Sequence, residues 1–78
     1  MQVVVATVTK LTTDDGLVTF LPHVTVGTRY LVDLDSLVRG QSMVARHADG
    51  TMQSHVKDII WTVGEGWLPV ECLAMSAS

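Results

Sequence analysis

A single cysteine, Cys72, is all the thiol chemistry in this 78-residue sequence. No internal disulfide can form, so the fold must stand without covalent staples, which suits a reducing, cytoplasmic setting. Aromatic side chains are scarce at 5 %, leaving Tyr30, Trp61 and Trp67 as the main aromatic handles. Basic residues are few and scattered: Lys10, Arg29, Arg39, Arg46 and Lys57, against a net charge of −3 and a pI near 5.3. Affinity for nucleic acid rests on neutralising phosphates with a concentrated basic face, so the charge speaks against a nucleic-acid-binding barrel. No apolar run reaches the length of a membrane span. The opening MQVVVATVTKL has neither a basic n-region nor a small-residue cleavage pattern, so no targeting signal is expected. Repeats, low-complexity tracts and linker compositions are also missing, which leaves one domain over residues 1–78.

What the chain does have is apolar content, 47 % of its residues, dominated by valine and leucine and accompanied by many threonines. That composition favours strands over helices and predicts an all-β fold. A chain this short has a high surface-to-volume ratio, so a mean hydropathy of +0.35 implies more apolar side chain than one small core can hide. A homo-oligomer or a protein partner is the natural sink for the surplus.

Turn signals recur at the spacing that small all-β domains use. A valine-rich strand is predicted at about residues 2–10 and is turned by TTDDG at 12–16. There Asp14 and Asp15 can bond back to the backbone and Gly16 can take positive φ. LVTFLP from Leu17 is then expected to return as the second strand of a hairpin, with Pro22 ending it or marking a sheet edge. TRYLVDL alternates as a strand. DSLVRG is read as one helical turn, capped by Asp35 or Ser36 and stopped by Gly40.

MVARHADGTMQSHV is the clearest element, because Asp49-Gly50 sits between two alternating arms, as a type I turn with a glycine bulge requires. That turn pairs His47 with Thr51, Ala45 with Gln53 and Met43 with His55. Val44, Met52 and Val56 make the other face the expected core face. Met43, His47, Gln53 and His55 are then left for solvent or a partner. DIIWTV gives a further strand, with Trp61 alternating with Ile59 and Val63 toward the core. GEG makes a tight turn, and WLPV forms a short strand before ECLAM. Five or six short antiparallel strands without a long helix predict a small open barrel or sandwich.

The stretch GEGWLPVECLAM resembles the C-terminal signature of Src-homology-3 domains over about a dozen residues. Gly66-Trp67-Leu68-Pro69 match the family's Gly-aromatic-aromatic-Pro, and Val70-Glu71-Cys72-Leu73 match the helical turn that leads into its last strand. The resemblance implies a closed small barrel. It does not carry the ligand, because Cys72 replaces the groove tyrosine of that turn and the acidic, tyrosine-containing N-terminal signature is missing. Trp61 also lies too close to Pro69 to be the groove tryptophan, so polyproline binding is not expected. The type II, plasmid-borne dihydrofolate reductases are likewise very short Src-homology-3-like chains, acting as tetramers around a shared pore. Their pore-lining Val-Gln-Ile-Tyr would fall at Glu65 to Leu68, where this chain has Glu-Gly-Trp-Leu, so the Gln and Tyr that position pterin and nicotinamide are lacking.

Reactive constellations are equally sparse. His23, His47 and His55 share no zinc-ligand spacing and read as surface or hydrogen-bonded histidines, so neither a metal nor another cofactor is expected. Asp33 and Asp35 read as a solvated strand end, and Cys72 as a packed thiol without a base beside it. Ser36, Ser42 and Ser54 lie in no nucleophile-elbow context, so no catalytic residue is assigned and the chain is not expected to be an enzyme. The candidate binding residues are Trp67, Tyr30, Met43, His47, Gln53 and His55, with Trp67 half-exposed at the rim after Gly-Glu-Gly and near Tyr30 or Met52. The expected function is that of a small protein-binding module, such as a phage or mobile-element inhibitor or adaptor of a host protein. The alternative is a structural homo-oligomer, for instance a virion or shell component.

Overall fold

The computed structural model describes residues 2–76. Valine alternation forms β1 (Val3–Val8), which buries Val4, Ala6 and Val8 on one side. After a turn at Thr13–Gly16 the chain makes the two-residue β2 (Leu17–Val18), and a long irregular stretch then leads to β3 (Arg29–Asp33). A 3-10 turn over Leu34–Ser36 separates β3 from β4 (Val38–His47). The Asp49-Gly50 turn joins β4 to β5 (Met52–Thr62). Then come β6 (Gly66–Pro69), a second 3-10 turn over Val70–Cys72, and β7 (Leu73–Ser76). The fold is all-β: six strands of four residues or more, with the short β2, curl into one antiparallel half-barrel sheet.

Strand order is β2-β4-β5-β3-β1-β7, with β6 on the other edge of β5. Along one edge of β5 the pairing passes from β4, ending at Val38 opposite Ile59, to β3, with Val32 opposite Thr62. The other edge of β5 carries β6 from Ile59–Pro69 to Thr62–Gly66. The main core lies inside the curl: Val4, Ala6, Val8, Val24, Val32, Ile60, Leu68 and Leu73, with Phe20, Tyr30 and Met75 packed against it.

Several local expectations hold and others shift. The hairpin register is as read from its turn, with Ala45 opposite Gln53 and Met43 opposite His55. TTDDG does turn the chain, with Gly16 at φ +95°, and Val18 makes one antiparallel bridge back to Thr12, but the ladder of β2 runs with β4 and not with β1. The helical turn after β3 spans Leu34–Ser36, and its cap, two residues before the earlier of the two expected caps, is Asp33, whose Oδ1 accepts from the Asp35 N–H. Gly40 does not stop a helix. It sits at φ +68° in a bulge of β4, where its N–H donates to Asp58 Oδ1. DIIWTV is not a separate strand but the second half of the eleven-residue β5.

The largest correction concerns faces. Val44, Met52 and Val56 are 65 %, 66 % and 69 % exposed, whereas Met43, His47, Gln53 and His55 are half-buried. Apolar content alone ranked the faces the other way. The loop after β1 and the second 3-10 turn decide the matter, because their carboxylates cover the face that carries Lys57 and the histidines. Trp61 is likewise not core. The side chains of Ile60 and Thr62 are buried, which turns Trp61 and Val63 to the opposite, exposed side. Ile60→Ala should lower the unfolding free energy by roughly 2–5 kcal/mol. Met52→Ser should change it by less than about 0.5 kcal/mol. Urea unfolding followed by tryptophan fluorescence measures both, and equal losses would reverse this assignment of faces.

Candidate functional site

Two surfaces concentrate side chains with something to offer a ligand: the underside of the β4–β5 hairpin, which is charged, and the outward face of the sheet, which is apolar. On the underside Lys57 Nζ reaches Asp15 Oδ1 at 2.6 Å and Glu71 Oε1 at 2.8 Å, and its side chain is only 10 % exposed. Glu71 Oε2 also accepts from the Asp14 N–H at 3.0 Å and lies 3.5 Å from Lys10 Nζ. Burial works against the charge on Lys57, yet its bonds to the two carboxylates hold its pKa above the ordinary value. The same bond to Lys57, helped by the Thr13 hydroxyl, brings Asp15 down from 3.8 to about 2. Glu71 is lowered chiefly by Lys57 and then by the Asp14 N–H.

The two hairpin histidines converge on this turn. His47 Nε2 is 2.8 Å from the Asp15 carbonyl, His55 Nδ1 is 3.3 Å from Asp15 Oδ2, and the two rings come within 6.3 Å although they start from distant register positions. His47 leaves no room at Gly16: a Cβ there would overlap its ring, and the backbone is left-handed. His23 pairs instead with Glu65 at 3.2 Å. Among the described residues no group of three His, Cys, Asp or Glu is arranged to hold a metal ion. This surface is a staple made of charges, with its acids and bases already committed to one another. Cys72 is buried beside it, and burial pushes its thiol up to about 11, so it stays protonated near neutral pH.

Strand parity builds the second surface. Val5 faces Leu31 across β1–β3, Val63 N–H bonds Leu31 O across β3–β5, and Trp61 faces Trp67 across β5–β6. The indoles meet edge to face at 5.4 Å and 76°. Val3, Leu31, Trp61 and Trp67, in strands whose opposite side is the core, and Val63, just past the end of β5, are all exposed. Their uncovered area is of the order of 500 Å², toward the top of what monomeric proteins leave in one patch.

Of the six residues singled out from the sequence, only Trp67 belongs to this face. Tyr30 is half-buried against the core, and burial, with the Glu65 carboxylate nearby, pushes its phenol up. Met43 lines an open groove beside β4, a groove that Met52 and Trp67 also reach. His47, His55 and Gln53 lie on the underside, Gln53 donating to the Thr51 hydroxyl at 3.1 Å. Sequence reasoning missed Leu31, Trp61 and Val63. Their signal is the absence of alternation in YLV and IIWTV, since a strand with water on one side normally interleaves polar residues. Comparison with known proteins adds nothing to this geometry: no family model, curated protein or solved structure matches the chain. Among the described residues no helix is long and apolar enough to cross a membrane.

Asp15 ionises more readily folded than unfolded, so its carboxylate favours the fold above pH 3.8, and that contribution disappears as the pH falls from there through about 2. Glu71 acts in the same direction. The thermal midpoint should drop across this window, and Asp15→Asn should show a lower midpoint at neutral pH with a shallower acid slope. An unchanged slope would remove Asp15 from the acid response. Gly16→Ala, which combines left-handed strain with displacement of His47, should cost about 1–3 kcal/mol in urea unfolding.

Proposed function

We propose that this chain is a small protein-binding module, an adaptor or inhibitor that docks on another protein through the outward face of its sheet. The observation that carries the reading is the apolar outward face itself, four strands wide from Val3 and Val5 through Leu31, Trp61 and Val63 to Trp67. Tryptophan is the residue type most enriched at binding hot spots, and an edge-to-face pair already fixed by strand pairing loses little conformational freedom on docking. The acids and bases of the underside already bond one another, so they have little to offer a substrate. The 3-10 turn at Val70–Cys72, between β6 and β7, supports a Src-homology-3-like barrel as the scaffold for such a module.

A homo-oligomer is the second reading, and one observation favours it. Along β3 the face carries one basic and one acidic residue, Arg29 and Asp33, on either side of Leu31, so their formal charges cancel, and the Asp33 carboxylate already caps the first 3-10 turn. A nearly neutral face is complementary to itself and can pack on a second copy across a two-fold axis. Leu31→Ser with Val63→Ser tests the shared premise. Light scattering across a hundredfold dilution should show the parent chain associating with itself, or affinity capture should retain a partner, and the double variant should lose that association. Unchanged mass and unchanged capture in the double variant would overturn the proposal.

A further inference from the structure

Strand β4 is paired on both edges only at its end. β5 follows one edge from Val38 to Arg46, while β2 covers the other at Arg46 and His47 alone. Antiparallel strands point successive N–H groups to alternate edges. His47 N–H donates to Thr51 O on the β5 side and Ala48 N–H to Gly16 O on the β2 side, so Ser42 and Val44 present their backbone groups toward β2. There β2 is already gone. Beyond Val18 the chain diverges through Thr19 to Pro22, and no hydrogen bond from it reaches the Val44 N–H or C=O or the Ser42 N–H among the described residues. The Ser42 carbonyl receives only a 3.4 Å bond from the neighbouring Gln41 amide.

The divergence opens a groove of about 740 Å³ between the two segments. Phe20, Leu21 and Pro22 form one wall, Met43 to Arg46 the other, and Met52 and Trp67 close it. Unpaired donors and acceptors at strand spacing specify what fits: another extended backbone. The chain's own β2 occupies the first two positions of the same edge in that manner. Arg46, at the end where β2 leaves, is exposed and forms no ion pair among the described residues.

We propose that this groove is a peptide slot, in which an extended segment of a partner protein continues the sheet along β4 where β2 leaves off. Apolar residues at alternate positions of the segment face Phe20, Leu21 and Met52, and an acidic residue meets Arg46. A second copy of this chain fits less well, because its own β4 edge is walled by the same Leu21–Pro22 segment. The inference rests on the reading of the chain as a protein binder and supplies the kind of segment bound.

The test uses fluorescein-labelled synthetic peptides with alternating Val or Leu and Thr and an acidic end, titrated by anisotropy against the full chain. Amide exchange by NMR is followed in parallel. Binding should slow exchange of the Val44 and Ser42 amides. N-methylation of the peptide amides that face β4 should weaken binding by about tenfold or more, and methylation of the intervening amides should not. Val44→Pro removes an N–H that the β4–β5 ladder does not use, so the hairpin persists while binding is lost. Should that variant unfold, the N-methylated peptides give the same answer on the unaltered protein. Binding indifferent to methylation parity, or no binding by any such peptide at about 1 mM, overturns the slot. Leu31→Ser with Val63→Ser lies outside the groove, so a failure of the outward-face reading would leave the peptide result intact and would be recognised separately.

Discussion

One ammonium group decides which way the long hairpin faces. Lys57 stands on the underside of β5 and holds two carboxylates from segments far apart in sequence, Asp15 in the turn after β1 and Glu71 in the turn before β7. Removing a cation from water is unfavourable unless its partners come with it. Here the partners bring their segments: Thr13 and Leu17 bury beside Asp15, and Cys72 buries beside Glu71. His47 and His55 then rest on the same turn. With the polar side of the hairpin covered in this way, Val44, Met52 and Val56 are left outside, and the apolar surplus of the chain becomes surface.

Strand β5 transmits that choice through the fold. Ile59 and Ile60 are both buried although neighbouring strand residues point to opposite faces, so at this point the strand is covered on both sides. Ile60 joins the main core, while Ile59 shares the Lys57 side. Past this point the parity that buries Ile60 and Thr62 must expose Trp61 and Val63, and pairing with β6 sets Trp67 beside Trp61. The two apolar surfaces are thus consequences of one strand serving two layers. Small domains have little interior relative to surface, and this chain spends part of its apolar composition outside.

Local features were legible from the residues. Asp49-Gly50 specified a hairpin and its register, because the turn geometry permits few alternatives. The valine alternation of β1 and the turns at Gly16 and around Gly64–Gly66 were set by backbone chemistry within a few residues. The half-exposed Trp67 followed from its place after the Gly-Glu-Gly turn. Less was legible for the candidate surfaces. Leu31, Trp61 and Val63 sit in runs apolar on both faces, where period-two reasoning cannot say which face is inside.

The sequence by itself determined the class of structure, the turns and the hairpin register, since each depends on propensity and on contacts a few residues apart. The tertiary structure alone decided which faces are covered, that β2 pairs with β4, and that β4 keeps an open edge beside a groove. Those outcomes depend on Asp15 and Glu71 meeting Lys57 across separations of 42 and 14 residues, the differences between 57 and 15 and between 71 and 57. No local pattern encodes such a meeting, because a charged side chain reads as solvated until the fold supplies its partner.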